Sequence, residues 1–95
     1  MECSGCEWDP EKDAENQCKH EGIRFVDACC VFEDPNREEV EDDGDYDEVR
    51  WIVTGRVGAV VLVVVYTDRN GNERIISARK AEPREERAYY VRFRR

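Results

Sequence analysis

VRWIVTGRVGAVVLVVVYTDRNGNERIISARKA, Val49 to Ala81, decides the fold of this 95-residue chain. It breaks into three strand-like runs, Val49 to Arg56, Ala59 to Thr67 and Glu73 to Ala81. The middle run is apolar at odd and even positions alike, the pattern of a central strand covered on both faces, whereas the outer two alternate. Asn70-Gly71 is a strong two-residue hairpin signal, and Gly58 falls where the first two runs turn. The simplest arrangement is therefore a three-stranded, or slightly larger, antiparallel meander. In such a meander the end of the third strand lies beside the start of the second and the end of the first, which brings Arg79 and Lys80 near Arg56. Which of the two shares a face with Arg56 depends on register, because a one-residue slip exchanges them. A strict two-residue turn pairs Arg69 with Asn72 and puts Lys80 opposite Val61. A bend in the sheet permits the other choice, and both stay open.

Upstream, Trp8-Asp9-Pro10-Glu11 opens a helix, with Asp9 as N-cap, proline at the first helical position and an acid in the first turn. It is expected to run to about His20, with Lys19 and His20 in its last turn and Gly22 as its stop. Phe25, Ala28, Cys29 and Phe32 fall at i, i+3, i+4 and i+7, one apolar stripe of a second helix that Asp34-Pro35-Asn36 ends. Downstream, Pro83 opens a last helix with Ala88, Tyr89 and Val91 as candidate buried residues. The order helix, helix, three strands, helix describes an α+β fold, read as a single domain over residues 1–95. Glu38 to Glu48 holds eight acidic residues in eleven. It forms the bulk of an acidic stretch, about residues 36–48, expected to be a solvated, mobile loop.

Hydrophobic and charged residues each make up 40% of the chain, which suits a globular protein with a densely ionic surface. The longest apolar run, Val57 to Tyr66, is too short for a membrane span, and no basic-then-apolar leader opens the chain. A cytoplasmic protein with no membrane partner is the expectation. The net charge of -8 is unevenly placed: Arg74 to Arg95 carries eight basic and three acidic residues, leaving -13 on the first 73 residues. A local basic face binds a polyanion whatever the total charge. A solvated C-terminal helix with internal Glu/Arg pairs accounts for the same asymmetry.

Five cysteines, Cys3, Cys6, Cys18, Cys29 and Cys30, raise a metal reading, since Cys3 and Cys6 have ligand spacing and His20 follows Cys18. Helical geometry speaks against it, because Cys18 and His20, two apart, point to different sides, as do adjacent Cys29 and Cys30. No metal and no other cofactor is expected. The odd count suits reduced, partly buried thiols.

Several segments together carry a family resemblance. They are EWDPEK at Glu7 to Lys12, Asn16, Lys19-His20, FVDACCVFEDP at Phe25 to Pro35, EVRWIVTG at Glu48 to Gly55, the strand ending VVVYT, and RIISARKA at Arg74 to Ala81 with Glu85 and Tyr89 after it. In this order, over nearly the whole chain, they resemble the BrnT-type toxins, the ribonuclease half of a type II toxin-antitoxin pair. The resemblance implies a RelE-like fold of helices packed on an antiparallel sheet, metal-independent RNA cleavage and growth arrest. It also implies neutralisation by a BrnA-like antitoxin with a ribbon-helix-helix domain, through which alone operator DNA is reached. Three positions depart from the family pattern: Glu21 stands where a glycine usually follows the Lys-His pair, Arg24 where a hydroxyl or acid caps the second helix, and Glu82 where threonine is usual.

Cleaving RNA without a metal requires a base for the 2′-hydroxyl proton, an acid for the leaving 5′-oxygen and cations for the phosphoryl oxygens. His20 is the only histidine and the only side chain whose ordinary pKa lies near neutrality, so it is the natural proton shuttle. Arg79 and Lys80 are the expected phosphate clamps, against the plainer reading that they pair with Glu82, Glu85 or Glu86. Lys19, Arg56, Arg74 and Arg84 complete the expected RNA-binding set. Ser77 has no recognisable base to activate it. Tyr89 and Tyr90 suit base stacking or, more simply, the core. The resulting expectation is an endoribonuclease acting by 2′-hydroxyl attack. The alternative is a non-catalytic RelE-like protein that binds a ribbon-helix-helix antitoxin and modulates transcription, which the acidic surface and Glu21 and Glu82 favour.

Overall fold

The computed structural model describes residues 3–44 and 47–92. Asp45 and Tyr46 of the acidic stretch, and Arg94 and Arg95 of the basic one, lie outside the described residues. The elements are β1 (Cys6–Glu7), α1 (Pro10–Lys19), α2 (Phe25–Ala28), a 3-10 helix (Cys29–Glu33), β2 (Glu38–Asp42), β3 (Arg50–Val57), β4 (Val60–Arg69), β5 (Asn72–Lys80) and α3 (Pro83–Val91). The fold is α+β.

Strands β3, β4 and β5 form the expected meander, but the sheet has five strands in the order β1-β5-β4-β3-β2. It is mixed rather than antiparallel, because β1 runs parallel to β5, with Cys6 opposite Glu73 and Glu7 opposite Arg74. Two residues are too few to show a pattern in the sequence. Strand β2 comes from the first half of the acidic stretch and pairs with β3 from Glu38↔Thr54 to Asp42↔Arg50. An edge strand held by its backbone needs few apolar side chains, and charges discourage further pairing on its open side, so composition disguised it as a loop. The Tyr66 hydroxyl and Arg37, the latter at 2.8 Å, both bind the Glu39 carboxylate and tie β2 down. The second N-terminal helix is also different: it is a single α turn that tightens into the 3-10 helix.

Local signals set the rest. Asp9 caps α1 by accepting the Glu11 N–H at 2.9 Å. His20 closes α1 with its N–H on the Asn16 carbonyl at 2.8 Å, and Glu21 and Gly22 then turn the chain with φ of 55° and 77°. Glu21 therefore holds a left-handed conformation that glycine adopts without strain. Asn70 and Gly71, with φ of 56° and 83°, give the type I′ geometry of a tight hairpin and pair Arg69 with Asn72.

Strand β4 lies at the centre, and Val61, Leu62, Val63 and Val64 are all buried. On one face Val53, Leu62, Val64, Ile75 and Ala78 pack against Phe25, Ala28 and Val31 from the helices, each large apolar side chain contributing about 2 kcal/mol. Gly55 permits this approach, since a Cβ there would lie 2.6 Å from Val31 Cγ2. Of the residues expected to bury on α3 only Tyr89 does so; Ala88 and Val91 are exposed. That helix carries too little apolar surface to dock by a stripe and is held by polar contacts.

The cysteines overturn the expectation of reduced thiols: Cys3 bonds to Cys30 and Cys6 to Cys29, leaving Cys18 free and exposed. Cys29 and Cys30 do point different ways, but the N-terminal segment beside β5 supplies each with a partner, at Cα separations of 6.1 and 5.2 Å. The bridges span 27 and 23 residues. Reduction by a dithiol is expected to lower the unfolding free energy by about 3 kcal/mol or more. The urea midpoint measures it, and an unchanged midpoint contradicts the pairing.

Candidate active site

Strand β5 carries one residue more than β4 requires. From the hairpin, pairing runs Arg69↔Asn72 to Tyr66↔Ile75, and then Val65 faces Ser77, leaving Ile76 as a bulge. Beyond it Val63 faces Arg79 and Leu62 faces Lys80, while Ala81 N–H bonds to the Val61 carbonyl at 2.9 Å. Directly opposed residues share a face. Arg56, Val61 and Ala81 thus lie on one face, and Arg79, two residues before Ala81, shares it. Lys80 falls on the helical face with Leu62 and Gly55. The bulge decides between the two open registers.

Ala78 occupies a position opposite Val64 whose N–H and C=O point away from β4, toward the side where the two-residue β1 has already ended. The side chain of Asn16 fills that gap. Its Oδ1 accepts the Ala78 N–H at 3.0 Å, and its Nδ2 donates to the Ala78 carbonyl at 2.8 Å and to the Ile23 carbonyl at 3.0 Å. Asn16 is the only buried residue of α1. Asp13, one turn earlier on the same side, accepts the Phe25 N–H at 2.9 Å. The role of Asn16 was missed in the sequence, although a signal was present: the inward side of α1 is a stripe of Asp13, Asn16 and His20 with no apolar anchor.

The end of α1 and the end of β5 enclose an open pocket of about 360 Å³ lined by Lys19, His20, Glu21, Arg79, Lys80 and Glu82. A smaller one of about 160 Å³ shares Lys19 and His20 and reaches Ile76 and Ser77. Four of the seven expected site residues meet in the larger pocket. Arg56 stands two strands away, with its backbone N–H on Asp34 at 2.7 Å. Arg74 lies toward the other end of β5, where it pairs with Glu7 at 3.3 Å, and Arg84 is exposed on the first turn of α3.

The two β5 cations of the pocket, Arg79 and Lys80, have carboxylate partners. Arg79 meets Glu85 through Nη1 at 2.7 Å and Nη2 at 2.9 Å, a two-pronged pair. Those hydrogen bonds hold the Glu85 carboxyl down at about 2, against opposing burial and with help from the Glu82 N–H, and they raise the Arg79 pKa. Neither Nε–H nor the second N–H of Nη2 is engaged by a described residue in this arrangement, so one edge of the guanidinium has donors left for a ligand. Lys80 lies 3.3 Å from Glu21, with both side chains more than half exposed, a pair of little energetic weight. One imidazole and three cations, Lys19 and Lys80 exposed and Arg79 half-buried, in an open pocket can bind an anion and move a proton.

Tyr89 has a structural role. Its hydroxyl donates to Asp34, whose carboxylate also accepts the N–H groups of Arg56 and Asn36 at 2.7 and 2.9 Å. Burial and then this bond push the Tyr89 hydroxyl up to about 12. At Asp34 burial acts upward, but these hydrogen bonds outweigh it and the carboxyl is lowered. One carboxylate thus joins α3, β3 and the end of the 3-10 helix.

Glu85→Gln is expected to cost about 1 kcal/mol at pH 7 by removing a charge-assisted pair. Because the folded pKa of Glu85 lies below its ordinary 4.5, its contribution is complete above that pH and fades as pH falls toward 2. The variant's deficit, read from urea denaturation, should shrink over the same range. A deficit constant down to pH 2 contradicts the pairing.

A family model described as ribonuclease toxin, BrnT, of type II toxin-antitoxin system matches residues 8–85. No curated protein matches the chain. The matched span begins at Trp8, takes in both walls of the pocket and ends at Glu85, the partner of Arg79. The chain belongs to the BrnT family of ribonuclease toxins of type II toxin-antitoxin systems.

Proposed function

We propose that this chain is a metal-independent, sequence-tolerant endoribonuclease that cleaves RNA by in-line attack of the 2′-hydroxyl, leaving a 2′,3′-cyclic phosphate. The observation that carries the reading is the meeting of His20, Arg79, Lys80 and Lys19 in one open pocket. His20 accepts the 2′-hydroxyl proton, Arg79 and Lys80 take the charge that builds on the non-bridging oxygens, and the 5′-oxygen leaves protonated from Lys80 or water. Lys19 steers the neighbouring phosphate, and Arg56, Arg74 and Arg84 act at longer range on the flanking strand.

Membership of a type II family implies a protein antitoxin. We take it to be BrnA-like, with a ribbon-helix-helix domain that carries the pair to operator DNA. The substrate places the activity in the cytoplasm, where Cys3–Cys30 and Cys6–Cys29 must resist thiol reductants. Among the described residues no helix is long and apolar enough to cross a membrane. The whole chain acts as a single domain in this reading. A second reading, an inactive member that only holds the antitoxin and tunes transcription, is favoured by one observation: Arg79 and Lys80 already face Glu85 and Glu21.

Inducing the gene alone in a bacterial host, beside an Arg79→Ala/Lys80→Ala double variant, separates the two. Growth arrest with RNA decay and cyclic-phosphate ends is expected from the wild type only. Arrest by the folded double variant overturns the assignment of the two cations. A folded, well-expressed wild type that neither arrests growth nor degrades RNA leaves the binding role.

A further inference from the structure

The two walls of the pocket belong to different elements and carry different parts of the chemistry. Lys19 and His20 end α1, while Arg79 and Lys80 end β5. Apolar packing does not fix α1 near its end. The ring of Trp8, ahead of the helix, meets Phe25 edge-on at 6.3 Å, and Asp13 binds the Phe25 N–H, so the first turns are anchored. Beyond Asp13 the only buried side chain of the helix is Asn16.

We propose that Asn16 is a positioning residue for RNA cleavage: its amide, by joining the Ile23 carbonyl to the Ala78 backbone, sets where His20 stands relative to Arg79 and Lys80. The inference rests on the ribonuclease reading above and adds a residue to it. Asn16 is 5% exposed and makes three side-chain hydrogen bonds of 2.8 to 3.0 Å. Its own carbonyl also accepts the His20 N–H at 2.8 Å, and Ile23 in turn donates its N–H to the His20 carbonyl at 3.1 Å. The His20 turn is thereby closed on both sides through one residue. Lys80–Glu21 also spans the walls, but two exposed side chains at 3.3 Å cannot define a geometry.

Removing the amide acts on both walls. The last turn of α1 loses its hold on the sheet, and His20 drifts with it. On β5 the Ala78 N–H and C=O lose their partners beside the Ile76 bulge. A bulge without support can slip by one residue, which exchanges the faces of Arg79 and Lys80. Asn16→Asp is the sharpest probe, because it keeps the shape and the acceptor for Ala78 N–H but turns an oxygen toward the Ala78 and Ile23 carbonyls. Asn16→Ser removes the reach without adding that repulsion, and it serves if the aspartate variant does not fold.

The test is steady-state cleavage of a short fluorescent single-stranded RNA by the full-length chain, at a temperature where circular dichroism shows every variant folded. The panel is wild type, Asn16→Asp, Asn16→Ser, His20→Ala, and Val53→Ala as a core truncation on β3 away from the pocket. Asn16→Asp is expected to lose about 10²-fold in kcat with KM within about threefold of wild type, the pattern of misplaced groups rather than lost binding. Val53→Ala should keep the wild-type kcat. Folded Asn16 variants with wild-type kcat overturn the inference while His20→Ala inactivity leaves the ribonuclease reading standing. An equal loss in Val53→Ala also overturns it, by showing general destabilisation. A wild type inert toward RNA overturns the parent reading and this one together.

Discussion

A buried peptide group with no strand beside it is the constraint around which this molecule is arranged. Strand β5 is flanked by β4 throughout but by β1 only at Glu73 and Arg74. Past that point the outward N–H and C=O of Ala78 would be buried without partners, a loss of about 1 to 3 kcal/mol. The amide of Asn16 pairs with both, as a further strand would. Helix α1 is consequently docked by hydrogen bonding at the place where an apolar side chain would ordinarily do it. The pocket lies at that junction.

The chemistry and the fold meet in the charges. A chain in which 40% of the residues are charged offers its cations a choice of partners, and at the end of β5 the choices are settled by register. The Ile76 bulge sends Arg79 to the sheet face of Arg56, where Glu85 receives it, and sends Lys80 to the helical face beside Glu21. Glu85 does more than neutralise: it holds one edge of the guanidinium by two hydrogen bonds and leaves donors on the other, which in the proposed ribonuclease reading suits a phosphate clamp that need not reorganise. Glu21 is different, an exposed acid in a left-handed turn with a weak hold on Lys80. The two carboxylates therefore hold their cations with unequal strength.

Much of this was legible before any coordinates, where a single local cause dictates structure. The Asp9-Pro10 start of α1, the Asn70-Gly71 hairpin, the doubly covered β4 and the Phe25, Ala28, Cys29 stripe each follow from capping, turn chemistry or periodicity. His20, Arg79 and Lys80 were legible as candidates from the chemistry that RNA cleavage requires, but their meeting was not legible as geometry. What stayed hidden depends on distant partners. Strand β2 is acidic because its pairing is made by the backbone of β3, β1 is two residues long, and the thiol pairs join residues 23 and 27 apart. The bulge at Ile76 leaves no mark in the alternation of β5, and so the register beyond it stayed open. Asn16 was visible as a motif residue, but its partner at Ala78 is 62 residues away.

The most direct test of this account is the hydrogen-exchange rate of the Ala78 amide, measured by NMR under native conditions. The pairing with a buried side chain predicts protection equal to that of the β4 amides, opening only with global unfolding. Exchange as fast as that of an open sheet edge would mean that Asn16 does not close β5, and the coupling between the two walls of the pocket would fall with it.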